Sequence, residues 1–230
     1  MVSKLKKLAF GTVAAAGLVL CQGALAGLLT VQIGTFVCVD GQACDTNVAP
    51  NVVTFAPVVP GFNVTTTTSF SNNPGSPGFT ILDMTWSIAS IGTTGGTLTF
   101  LASQTGFLFP PAGATGNLQS VCSGDALNAS VTCQEWIDLT NTLNGLGTVT
   151  PGPQGPFTAP FSDTKVSGNF VSVTPFSITD RLIFNLAANG TSTGDLRSIT
   201  PAPGVPEPAT LALVGAALAG FGFLRRRKQS

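Results

Sequence analysis

Four cysteines, nine carboxylates and one Ser-x-x-Lys tetrad are the groups in residues 27–206 that could carry chemistry, and the chain has no histidine to assist them. Cys38, Cys44, Cys122 and Cys133 are even in number. In an exported chain that argues for disulfides over metal ligands or reactive thiols. Three pairings are open. Cys38–Cys44 with Cys122–Cys133 is favoured because each bridge closes a short loop, adding ~2.5–3 kcal/mol through the entropy of the unfolded chain. Zinc is disfavoured because the chain has neither a Cys-x-x-Cys spacing nor a histidine. The missing histidine also removes Ser-His-Asp and Cys-His nucleophiles. Ser162-Asp163-Thr164-Lys165 has the spacing of penicillin-binding enzymes, but that chemistry needs serine to open a helix with lysine one turn on. Pro160 and Gly168 flank the tetrad, and the chain holds no Ser-Asp-Asn or Lys-Thr-Gly partner. Glycoside hydrolysis needs two carboxylates across a cleft, and nothing in the sequence selects a pair. Asp40 and Asp45 lie near the first cysteine loop without the dense D-x-D-x-D-G pattern of a strong calcium site. No catalytic residue, metal or cofactor is expected, and the chain reads as a non-enzyme.

The elements that must carry these groups are mostly strands. Leu82, Met84, Trp86 and Ile88 alternate with Asp83, Thr85 and Ser87, the period-two pattern of a strand with one buried face. Leu98, Phe100 and Ala102 repeat it beyond Gly92-Thr93-Thr94-Gly95-Gly96, so the two runs read as a hairpin. Phe176 and Ile178, then Leu182, Phe184 and Leu186, show the alternation again. Val31 to Ile33 and Phe62 to Phe70 read as further strands. One helix is expected: Thr132-Cys133-Gln134-Glu135 matches a capping box, and Trp136, Leu139 and Leu143 follow at helical spacing up to Gly145. Trp136 then serves either as that helix's core anchor or as a sugar-stacking platform. Pro151-Gly152-Pro153-Gln154-Gly155-Pro156 reads as loop. The expected fold is a single antiparallel β-sandwich, jelly-roll-like, with one short helix, over residues 27–200.

The two ends read as addresses. Lys4, Lys6 and Lys7 precede an apolar run over residues 8–20 and then Ala24-Leu25-Ala26, the layout of a secretory signal peptide over residues 1–26, cut after Ala26. Thirteen apolar residues fall short of the roughly 20 that span a bilayer. A lipoprotein reading at Cys21 is weaker, because Leu20 stands where a small residue is wanted. Between Gly27 and Pro206 only Lys165, Arg181 and Arg197 are basic against nine acids, a formal balance of −6. Such a surface repels phosphate backbones, so nucleic acid is not an expected partner. Residues 201–208 read as a proline-rich linker with the motif, residues 209–224 as a transmembrane helix and residues 225–230 as a basic cytoplasmic tail. Sixteen residues make ~24 Å of helix, slightly thin for a bilayer but workable with snorkelling. Arg225, Arg226, Arg227 and Lys228 resist crossing and leave the domain outside.

Val205, Pro206, Glu207 and Pro208, the apolar run and the terminal basic cluster together resemble the PEP-CTERM sorting signal of exosortase substrates. The resemblance covers residues 205–228. It implies a signal peptidase and an exosortase as processing partners, and an inner-membrane-anchored precursor facing the periplasm. Release to the outer surface or the extracellular space follows, in cells that make extracellular polysaccharide. Three functions compete: a non-catalytic component of the polysaccharide or biofilm matrix, which is favoured, a carbohydrate-binding or adhesin module, and a hydrolase using carboxylates. An exposed Trp86 or Trp136 on a concave face would favour the second, and paired carboxylates with shifted pKa values in one cleft the third.

Overall fold

Alternation of apolar with Thr, Ser and Asn residues makes nearly every regular element a strand, because branched and aromatic side chains pack well on a pleated face. The computed structural model describes residues 27–73, 79–108 and 113–201. The signal peptide with Ala24 and Ala26, the motif Val205 to Pro208, the segment 209–224 and the cluster Arg225 to Lys228 lie outside the described residues. The strands are β1 (Thr30–Ile33), β2 (Phe36–Val39), β3 (Val52–Phe55), β4 (Phe62–Ser71), β5 (Phe79–Ser90), β6 (Gly96–Phe107), β7 (Thr115–Gly116), β8 (Gln119–Asp138), β9 (Gln154–Phe157), β10 (Phe161–Val166), β11 (Phe170–Val171) and β12 (Phe176–Pro201). β7 and β11 pair by themselves, and the other ten form one antiparallel sheet.

The long strands β8 and β12 organise that sheet. They pair with each other along two arms, residues 129–138 with 177–186 and residues 119–127 with 191–199, and the register breaks between them. At the break Asn128 (φ 49°) and Asn189 (φ 53°) take left-handed backbone conformations, which asparagine tolerates better than other side-chain-bearing residues. Both strands bend there. One arm of β12 is flanked by β6 and the other by β5, giving two leaves. The first runs β2-β1-β6-β12-β8-β9 and the second β3-β4-β5-β12-β8-β10. β2 lies against β3, and β9 against β10, at the two seams. One continuous sheet is thereby nearly closed into a flattened barrel, where two separate sheets were expected.

The facing leaves bury a core in layers. Trp86 meets Phe184 edge-on at 5.8 Å, and Phe184 meets Phe100 at 4.9 Å, nearest the corner. Cys122–Cys133 joins the two arms of β8 next, and Ile137, Ile178 and Leu118 lie buried further out. The inward series Leu82, Met84, Trp86 and Ile88 is buried as its alternation requires.

Two expectations are corrected. Among the described residues there is no helix. Thr132 to Asp138 is the second arm of β8, followed by a turn in which Thr140 N donates to Asp138 Oδ1 at 2.9 Å. Tertiary pairing with β12 and the bridge at Cys133 override the local capping signal. β5 and β6 also do not make a hairpin, since neither pairs with the other. Each instead pairs with a different arm of β12, so the Gly92–Gly96 turn crosses between leaves. A Cβ on Gly95 would meet Leu186 O at 1.9 Å, so the turn passes close over the corner.

Ser90 fixes that corner. Its Oγ donates to Ala187 O at 2.7 Å and accepts from Gly190 N at 2.9 Å. Ser90→Ala should lower stability by about 1–3 kcal/mol, because it orphans a buried backbone donor. Urea unfolding checks this, with the outward-facing Ser87→Ala expected to be near neutral.

Candidate functional site

The inward positions of β8 and β12 place a polar layer between the disulfide and the outer apolar layer. In register, Asp180 stands opposite Glu135 on one leaf and Ser198 opposite Ser120 on the other. The leaves then bring the pairs face to face. Ser198 Oγ donates to Asp180 Oδ1 at 2.5 Å, and Ser120 Oγ lies 2.5 Å from Glu135 Oε1. Ser120 Oγ also hydrogen-bonds Gln154 Oε1, at the start of β9. Ser120, Glu135, Gln154, Asp180 and Ser198 are all 0 % exposed. Glu135 Oε2, Asp180 Oδ2 and Gln154 Nε2 have no hydrogen-bond partner among the described residues.

Burial decides the charge state of this layer. Desolvation raises the Glu135 carboxyl from 4.5 to about 7, against the opposing pull of its Ser120 hydrogen bond. Desolvation, then the neighbouring Glu135 charge, raises Asp180 well above the usual carboxylate range. The hydrogen-bond count agrees. Serine has one hydroxyl proton, so when Ser120 donates to Gln154 the contact with Glu135 must be donated by a protonated Glu135. The layer is sealed from solvent, so no external substrate reaches it.

A second carboxyl pair lies on the outer face of the second leaf. Arg197 Nε donates to Asp83 Oδ2 at 2.8 Å. Burial, then a hydrogen bond to Asp83, raises the Asp195 carboxyl to about 7. These two carboxyls touch, whereas glycosidases hold theirs at least roughly 5 Å apart to flank a sugar bond. The remaining residues singled out by sequence are structural. Asp45 accepts from the backbone N–H groups of Asn47 and Thr54 at 2.9 Å, and Asp40 from that of Asn51 at 2.7 Å. Among the described residues no group of three acids or cysteines could hold a metal. Ser162 and Lys165 sit on β10, an extended strand, so they point to opposite faces and form no Ser-x-x-Lys site.

Trp86 is 3 % and Trp136 6 % exposed. Trp86 Nε1 donates to Ser192 Oγ at 3.0 Å, and the Arg181 guanidinium covers the Trp136 ring at 4.6 Å. Both bridges are present, Cys38–Cys44 and Cys122–Cys133, with Cα–Cα distances of 5.8 and 6.5 Å. The sequence reading missed the polar layer itself. Its signal was available for Asp180, which falls between Ile178 and Leu182 in a run whose even positions face inward.

The folded state holds protons on Glu135 and Asp180 that the unfolded chain releases. A group raised in the folded state costs stability once its unfolded counterpart ionises. The contribution of these two groups is therefore undiminished below pH 3.8, where the unfolded Asp180 begins to ionise, and stability falls as pH rises towards about 7. Glu135 alone accounts for a loss of about 3 kcal/mol. Thermal unfolding of the disulfide-intact chain should show Tm falling over that window, and Asp180→Asn should flatten the fall. A Tm that rises there contradicts the assignment.

No curated protein matches the chain. Residues 204–228 match the family model described as the PEP-CTERM protein-sorting motif, in agreement with the resemblance carried by Val205 to Lys228. That match covers about a tenth of the sequence and lies beyond the end of β12. The chain carries a PEP-CTERM sorting signal, which implies an exported precursor held transiently in the membrane and processed by an exosortase.

Proposed function

We propose that the processed chain is a non-catalytic component of the cell exterior, associated with the extracellular polysaccharide or biofilm matrix. The sorting motif at residues 204–228 carries this reading. The rest of the chain supports it. Its exposed strand faces are rich in Thr, Ser and Asn with few charges, a surface suited to hydrated polymer. The raised carboxyls Glu135 and Asp180 are sealed in the core and the raised Asp195 is in contact with Asp83, so neither pair flanks a cleft. Both tryptophans are packed away, which deprives a lectin reading of the stacking rings it called for.

In this reading the tail works as a temporary anchor. Glu207, set between Pro206 and Pro208, is the charged group read by the processing enzyme. The four terminal cations hold the precursor until the cut frees the domain.

Mass spectrometry of the surface pool from exosortase-producing cells should find a mature C-terminus lacking Arg225 to Lys228. Glu207→Ala should leave full-length precursor in the membrane fraction. An intact basic terminus on surface protein would overturn processing. The mature domain should co-fractionate with extracellular polysaccharide, whereas saturable binding to one defined sugar would replace the matrix reading with a lectin.

A further inference from the structure

Ser120, Gln154 and Glu135 form a reactive set as well as a hydrogen-bonded one. A hydroxyl nucleophile, a carboxamide electrophile and a carboxyl able to move a proton meet at 0 % exposure. Their backbones come from three places: the first arm of β8, the second arm of β8 and the edge strand β9. Ser120 and Cys122 share one inward face, as do Cys133 and Glu135, so the Cys122–Cys133 bridge holds the two arms in the apposition that presents Glu135 to Ser120.

We propose that Ser120 and Gln154 condense into an intramolecular ester, with Glu135 relaying the proton. The reacting form is the one populated near pH 7 in which Glu135 is ionised and accepts from Ser120 Oγ: Oγ attacks Cδ of Gln154 as its proton passes to that carboxylate. The tetrahedral intermediate collapses with cleavage of the Cδ–Nε2 bond, and Glu135 returns the proton to the departing nitrogen. One ammonia leaves, one ester forms, and Glu135 is regenerated with no change of oxidation state. A carboxyl raised to about 7 is matched to accepting and returning a proton near neutral pH. Exclusion of water protects the product from hydrolysis. The condensation also removes the orphaned Gln154 Nε2, a buried donor group whose desolvation is otherwise uncompensated.

A second serine–glutamine contact supplies the contrast. Ser71 Oγ hydrogen-bonds Gln104 Oε1, but Gln104 Nε2 donates to Gly27 O at 2.6 Å and to Asn51 Oδ1 at 2.9 Å. Its nitrogen is satisfied, and among the described residues no carboxyl hydrogen-bonds Ser71. That pair stays a hydrogen bond.

Peptide mapping of the full exported chain with disulfides reduced and capped tests the ester directly. Wild type should weigh one ammonia less than its sequence after processing, and should yield a branched peptide joining the Ser120 and Gln154 segments. Ser71 and Gln104 should appear in linear peptides. Glu135→Gln should restore the full mass and linear peptides while keeping the far-UV circular dichroism of wild type. Ser120→Ala should do the same. A folded, disulfide-intact wild type with linear Ser120 and Gln154 peptides overturns the proposal. So does an ammonia loss that maps to Asn144-Gly145 or Asn189-Gly190, where succinimide formation would release the same mass. Failure here leaves the matrix reading untouched, because that reading depends on the tail.

Discussion

Because β8 and β12 are hydrogen-bonded neighbours along both arms, neither can bend without the other, and the sheet folds back on itself only where both turn together. Asn128 and Asn189 supply that coincidence, one from each strand, at the same break in register. Ser90 then ties the corner from β5. Every cross-leaf contact in the core follows from this fold-back, including a disulfide, Cys122–Cys133, that joins one strand to itself. The crossing of the Gly92–Gly96 turn is a further result. Once β12 has two arms, its flanking positions lie on different leaves, and the consecutive strands β5 and β6 must separate to fill them.

The interior built this way is not uniform. Aromatic packing of Trp86, Phe184 and Phe100 fills the space nearest the corner, and apolar residues close the far end. Between them lie two carboxyls, two serines and a glutamine. A buried carboxyl is tolerated by taking a proton rather than by finding a cation, and among the described residues no basic side chain forms an ion pair with Glu135 or Asp180. The charge of Lys165 pulls the Glu135 carboxyl down, but its effect ranks below burial and hydrogen bonding. The layer is held together by hydroxyl bridges across the leaves, so it depends on the same corner and the same disulfide that brought the arms together.

Much of this was legible in the residues. Period-two alternation found β5, β6 and both ends of the first arm of β12, and the short cysteine spacings gave the bridges the structure contains. The failures have one origin: local patterns cannot report which strand lies beside which. The glycine-rich turn after Ile88 looks like a hairpin because loop chemistry encodes reversal but not pairing. Thr132 to Glu135 looks like a helix cap because the same Thr and Glu, on a strand, place one side chain outward and the other into the core. Asp180 sat on the inward face of a recognised strand, while Ser120, Gln154 and Ser198 became part of a cluster only through long-range apposition. The sorting motif was legible for the opposite reason. Its meaning lies in contiguous residues and needs no fold.

β12 ends at Pro201, just ahead of the sorting motif. Any pull transmitted through the tail therefore enters the domain along its most embedded strand rather than along a rim. Residues 191–199 are paired with β5 on one side and β8 on the other, so traction directed along β12 shears two ladders at once instead of peeling one open bond by bond. Traction applied along β12 from its C-terminal end is thus opposed by both ladders together.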